Sequence, residues 1–254
     1  MSRAQLLAGG AALLLLIVLL LAGAPAHVLN RVLAGTPVAA DGLAGTVWSG
    51  RASRVRVATD AGILHLGEVT WSLRPLSLLV AAPTLRIHSR WSDQELAAVI
   101  TWRGEREVIL SDVEARFDAA LLRHLAPIAL SGRMTAQAEK LHLRDGLPLQ
   151  ATARLTWQQA AWDSPQGLLP LGSYAADIQD TAPGVLAGTI VTLAGPLRAE
   201  GELQLRQRDY STAILLTHDE TWDPLLQEAL ALLARPVAAG YDLRLDGSLP
   251  QQGQ

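Results

Sequence analysis

The chain has 254 residues, a formal net charge of −3, a pI near 6.1 and no cysteine, and half of its residues are hydrophobic. This slightly acidic balance sets nucleic-acid binding aside, because that task demands a basic surface. Without cysteine there is neither a disulfide framework nor a thiolate metal site, and the redox compartment is left open.

Residues 4–26 contain no charged side chain, and residues 13–21 are all Leu, Ile or Val. As a helix rising about 1.5 Å per residue, this stretch reaches roughly 34 Å, enough to cross a hydrocarbon core about 30 Å thick. It reads as a transmembrane anchor. Size asymmetry leaves residues 1–3 in the cytoplasm and the remainder outside, since long C-terminal domains translocate largely regardless of their charge. The competing reading is a cleavable signal peptide, because Ala24-Pro25-Ala26 has the small-x-small form of such sites, although the apolar run exceeds the usual core of about 7–15 residues. Gly9, Gly10, Ala11 and Ala12 are small enough to let a neighbouring helix approach closely.

A stem over residues 27–36 leads into a region, residues 37–249, in which short segments are punctuated by Gly, Pro and Asp; a tail of residues 250–254 follows. Arg54-Val55-Arg56-Val57, Val69-Thr70-Trp71-Ser72-Leu73 and Leu85-Arg86-Ile87-His88 alternate polar and apolar residues. So do Leu141-His142-Leu143-Arg144, Leu203-Gln204-Leu205-Arg206 and Tyr241-Asp242-Leu243-Arg244-Leu245. A period of two places every second side chain on one face, which predicts short strands in antiparallel sheet with one buried and one wet face. Two stretches break the rhythm. In residues 117–125, Phe117, Leu121, Leu122 and Leu125 form a helical stripe. The second starts at Asp223-Pro224, a capping acid followed by the proline favoured at the first helical position, and runs to Pro236. Neither is long enough to be stable unpacked, so both are expected to pad the sheet.

Gly45-Thr46-Val47-Trp48-Ser49-Gly50-Arg51-Ala52 followed by Val69-Thr70-Trp71 is echoed by Ser131-Gly132-Arg133-Met134-Thr135-Ala136 followed by Leu155-Thr156-Trp157. The echo suggests two similar sheet modules, residues 37–115 and 127–205.

These segments, in this order, resemble the type II secretion system protein N (general secretion pathway protein N) family. The resemblance rests on the amino-terminal anchor, on Gly42-Leu43-Ala44-Gly45-Thr46-Val47-Trp48-Ser49-Gly50-Arg51-Ala52 and on Val69-Thr70-Trp71-Ser72-Leu73-Arg74-Pro75. It continues through Leu130-Ser131-Gly132-Arg133-Met134, Leu155-Thr156-Trp157, Leu171-Gly172-Ser173-Tyr174 and the closing strand from Gly240 to Leu249. A glycine-flanked strand with a Trp also occurs in AsmA-like envelope proteins. The resemblance implies a single-pass inner-membrane protein of a Gram-negative bacterium. Its main domain would be periplasmic, and its role accessory to the machine that exports folded proteins, with no catalytic residues to carry over.

Around Ser49 the glycines of a Gly-x-Ser-x-Gly elbow are missing, and no Gly-x4-Gly-Lys-Ser/Thr loop is present. His218, Asp219, Glu220 and Asp223 form the densest set of metal-type side chains, and they read as a solvated acidic turn ending in a helix cap. The remaining histidines lack a ligand spacing. Seven Trp stand against one Phe. Trp48, Trp71, Trp102 and Trp157 lie in strand-like pieces and read as packing residues; Trp91 and Trp222 border polar turns and read as interface residues. Gly42, Gly45, Gly50 and Gly132 read as turn or close-approach positions, and Arg51, Arg54 and Arg56 as a solvated strand face.

The expected protein is mainly β (α+β): a transmembrane helix, then a curved, mostly antiparallel periplasmic sheet with two short helices. It is expected to be non-enzymatic, to need no cofactor or metal, and to bind inner-membrane and periplasmic subunits of the secretion apparatus. The alternative is an AsmA-like envelope protein that holds lipid in an open sheet trough, and what separates the two is whether helices cover the apolar strand faces.

Overall fold

The computed structural model describes residues 23–59, 62–124, 129–182, 184–218 and 222–248. The predicted anchor lies outside these residues except for residues 23–26, and among the described residues no helix is long and apolar enough to cross a membrane. A 3-10 turn, Ala26–Val28, spans the last residue of the predicted anchor and the first of the expected stem, and a short helix, Leu29–Leu33, follows in the stem.

The alternating stretches form antiparallel strands in two compact units, Met1–Trp91 and Ser92–Gln254. In the first unit β1 (Val38–Gly45), β2 (Ser49–Thr59), β3 (Gly62–Leu73) and β4 (Thr84–Trp91) pair in sequence order. The second unit begins with β5 (Gln94–Trp102), β6 (Glu107–Asp118), β7 (Leu130–Arg144), β8 (Leu147–Ser164) and β9 (Gly167–Ala182). It continues with β10 (Val185–Ala194), β11 (Leu197–Arg206), β12 (Asp209–His218), β13 (Arg235–Val237) and β14 (Gly240–Ser248). Here too the order follows the sequence, except that β14 lies between β12 and β13.

Three strands are far longer than the short segments expected from the punctuation: β7 has 15 residues, β8 has 18 and β9 has 16. The interrupting residues sit at register shifts rather than turns. Gly132 falls where the β7–β8 register slips between Ser131 and Arg133, and Pro170 and Gly172 face the slip between Ala160 and Ala161. A bulge absorbs an irregular residue and lets the ladder continue.

Residues 117–125 also differ from expectation. Phe117 pairs with Met134 as the penultimate residue of β6, and only Ala119–His124 turns, as a 3-10 helix. The alternation Val113, Ala115, Phe117 carries the strand through, and Asp118 Oδ1 then accepts the Ala120 amide at 2.7 Å, ending the ladder.

Helix Pro224–Leu233 forms as its signals predict. Asp223 is extended, and its Oδ1 accepts the amides of Leu225 at 2.9 Å and Leu226 at 3.3 Å. The helix stops before Arg235-Pro236, because a residue preceding proline is pushed out of the helical region. Its inner side supplies Leu226 and Leu230 to a core built from Leu171, Tyr174, Leu197 and Leu216. A leucine buried as fully as Leu226 contributes about 2 kcal/mol.

Replacing Asp223 by Ala is expected to cost about 1 kcal/mol and to lower the melting temperature by about 2–4 °C, measured by thermal unfolding. Asp223→Asn, which keeps a capping oxygen, is expected to stay near wild type.

Candidate functional site

The predicted glycine and tryptophan positions form a recurring clasp in each unit. Gly50 of β2 lies opposite Trp71 of β3, and the Trp71 indole donates through Nε1 to the Val47 carbonyl at 3.1 Å. In the second unit Trp157 of β8 reaches the start of β7 and donates through Nε1 to the Ser131 carbonyl at 3.1 Å, beside Gly132. A Cβ on Gly50 would stand 2.6 Å from Trp71 Cζ2, and one on Gly132 would stand 2.8 Å from Trp157 Nε1. Backbone carbonyls are as close, Ala44 at 2.6 Å for Gly50 and Gln158 and Gln159 at 2.7 Å for Gly132, so each glycine makes room both for neighbouring backbone and for the indole that ties down the start of its strand. Gly45 pairs with Gly50 at the end of β1, and the Trp48 carbonyl accepts the Leu73 amide at 2.6 Å.

The two expected interface tryptophans have different settings. Trp91 is 43 % exposed and stacks on His65 with ring centroids 5.8 Å apart. Trp222 packs against the core between His218 at 5.3 Å and Tyr241 at 5.0 Å.

Register converts simple alternation into a two-faced sheet in the second unit. Leu96, Ala115, Ala136, Leu155, Ala176, Ile190, Gly201, Ile214 and Leu243 stand opposite one another in successive strands. One residue away, and therefore on the other face, Glu114, Gln137, Arg154, Asp177, Thr189 and Glu202 form a polar row. Over the apolar face lies a hollow of about 280 Å³ lined by Met134, Leu155, Trp157, Leu171, Tyr174, Ile190, Leu197, Ile214, Leu216 and Leu243 among others. The polar atoms of its two aromatic residues are spent on the protein itself: Trp157 on Ser131, and the Tyr174 hydroxyl on the Leu197 carbonyl at 2.9 Å. Burial pushes the Tyr174 hydroxyl up to about 12. A hollow of about 380 Å³ on the polar face runs past Glu114, Gln137, Arg154 and Asp177, where Arg154 and Asp177 are 3.6 Å apart.

Two histidine sites differ from a bare scatter. His142 Nε2 lies 2.6 Å from Glu107 Oε1, and this hydrogen bond, with Arg144 nearby, holds the Glu107 carboxyl below its ordinary range. Of the His218, Asp219, Glu220 and Asp223 set, Asp219 and Glu220 lie outside the described residues and Asp223 is occupied as a cap. Among the described residues, no group of three or more metal-type side chains converges.

A family model described as "Type II secretion system (T2SS), protein N" matches residues 36–244. The chain belongs to the type II secretion system protein N family. It is 31 % identical over 218 residues to the "Type II secretion system protein N" of Aeromonas hydrophila, an alignment covering 82 % of this chain and 84 % of that one. No solved structure matches it. The protein N match takes in both clasps, the apolar hollow and the whole strand series up to Arg244. Of the residues lining the hollow, sequence reasoning singled out Trp157, as a packing residue, and did not gather the others into a site. Their only signal is the parity of apolar residues along each strand, and parity identifies a face without saying which strands share it.

Gly50→Ala and Gly132→Ala are each expected to destabilise their unit by about 1–3 kcal/mol through overpacking, read by urea unfolding. Gly188→Ala is the control, since its Cβ would meet the nearest atom at 3.4 Å, an ordinary contact.

Proposed function

We propose that this chain is a non-enzymatic, single-pass inner-membrane component of the type II secretion machinery. In this reading residues 4–26 form the anchor, the N-terminus is cytoplasmic, and the β-rich region works in the periplasm by binding other subunits of the apparatus. Membership of the protein N family supports the assignment to the machinery. One structural observation supports recognition through strand addition. β14 pairs with β12 from Tyr241 to Ser248, but β13 covers its other side only from Gly240 to Asp242. Among the described residues, the β13-side edge from Leu243 to Ser248 therefore has no ladder partner. An open edge of this length accepts an extended strand through main-chain hydrogen bonds, with alternate side chains setting specificity.

A second reading, lipid or hydrophobic-molecule handling, is favoured by the apolar hollow of about 280 Å³. Helix Pro224–Leu233 packs Leu226 and Leu230 on one part of that face and leaves the hollow open.

In a strain lacking the gene, type II substrates are expected to accumulate in the periplasm, with secretion restored by the wild-type chain. Leu245→Lys, which puts a charge on the open edge, is expected to restore secretion poorly and to lose co-purifying subunits while its melting temperature stays close to wild type. Normal secretion combined with altered outer-membrane permeability in the deletion strain would replace this reading with the lipid-handling one.

A further inference from the structure

The segment between β3 and β4 departs from the alternation of the rest of the first unit. Residues 75–83 read Pro-Leu-Ser-Leu-Leu-Val-Ala-Ala-Pro, and no charge occurs between Arg74 and Arg86. Three of its large side chains face out almost completely: Leu76 is 76 % exposed, Leu79 is 82 % and Val80 is 73 %. A contiguous apolar tip of this kind marks a contact with something apolar.

Much of its backbone is bonded within the loop. The Ser77 amide donates to the Arg74 carbonyl at 3.1 Å, Leu79 to Leu76 at 3.2 Å, Ala81 to Leu78 at 3.1 Å and Ala82 to Ser77 at 3.1 Å. The Ser77 hydroxyl donates to the Arg74 carbonyl at 2.6 Å and accepts the Thr84 amide at 2.9 Å. These four amides are bonded within the loop, which lowers the cost of moving it from water toward a hydrocarbon boundary.

The place of the loop names its partner. The Val47 amide donates to the Ala24 carbonyl at 2.9 Å, and Pro25 bridges to Thr46. The next residue, Trp48, accepts the Leu73 amide through its carbonyl, and the loop starts directly after Arg74. The apolar loop and the point where the chain emerges from the uncharged residues 4–26 thus lie at the same end of the first unit's sheet.

We propose that residues 75–82 dip into the interface of the bilayer that holds residues 4–26, so that the chain meets that membrane at two adjacent places and the first unit is held with this end toward the lipid. The proposal rests on the reading of residues 4–26 as the anchor. Arg74 and Arg86, both exposed, sit at the root of the loop, where guanidinium groups reach lipid phosphates while the apolar tip goes deeper.

The absence of cysteine makes the test site-specific. Full-length Leu79→Cys, Val80→Cys and Ile63→Cys chains are labelled with nitrobenzoxadiazole and reconstituted into phosphatidylethanolamine–phosphatidylglycerol vesicles. Ile63 is also exposed and apolar but lies ten residues before Leu73 in β3, about 33 Å away at roughly 3.3 Å per residue. Labels at 79 and 80 are expected to be quenched by phospholipids brominated high on the acyl chain and shielded from iodide, with the label at 63 showing the reverse. Chains that float with vesicles yet leave 79 and 80 open to iodide overturn the loop proposal and keep the anchor. Labels shielded from both quenchers overturn it in favour of a protein cover. Chains that fail to float overturn the anchor and the loop together.

Discussion

The structure depends on one constraint, the two-residue period of antiparallel strands held in register. Because every second side chain faces the same way, a one-residue slip would carry each apolar residue of that strand to the opposite face. The row from Leu96 through Leu155 and Ile214 to Leu243 survives across β5 to β12 and β14 because bulges take up extra residues such as Gly132 in β7 and Leu171, between Pro170 and Gly172, in β9. From Ala136 to Ile214 the row alternates Ala or Gly with Leu or Ile, which lets large side chains lie over small neighbours.

The clasps explain how the register starts. A glycine near the start of a strand offers no side chain to hold it, and an indole from the partner strand supplies both bulk and a donor. Trp71 on Val47 and Trp157 on Ser131 make the same bond at the same length in the two units. This shared chemistry gives the sequence echo a physical meaning. At Gly50 and Gly132 the backbone and the indole both come too close for a Cβ, and the indole ties the start of the strand.

The two faces then separate the tasks available to the second unit. The polar face is covered by charged side chains that water solvates. The apolar face has few fully buried residues, and only part of it lies under Leu226 and Leu230. Tyr174 and Trp157 turn their polar atoms into the protein, which leaves the hollow without a directed donor of theirs. Such a surface distinguishes apolar from polar molecules and little else, whereas the edge of β14 offers directional hydrogen bonds. Recognition of another subunit therefore fits the edge, and hydrophobic contact fits the face.

Sequence alone determined the strand class, the cap at Asp223 with its helix, and the family, because alternation, capping and ordered short motifs are local signals. It placed Gly50, Trp71, Gly132 and Trp157 in one pattern, but not the bonds that make them a clasp. Only the tertiary structure decided that Gly132, Pro170 and Gly172 sit at or beside bulges, that Phe117 belongs to a strand, that Trp222 packs on the core and that one apolar row crosses the second unit. Likewise, nothing local joins residues 24–25 to the loop after Arg74; the link runs through Val47, Trp48 and Leu73. The reason is physical: a residue's own neighbours set its backbone preference, whereas its partners across a ladder are set by chain closure over tens of residues.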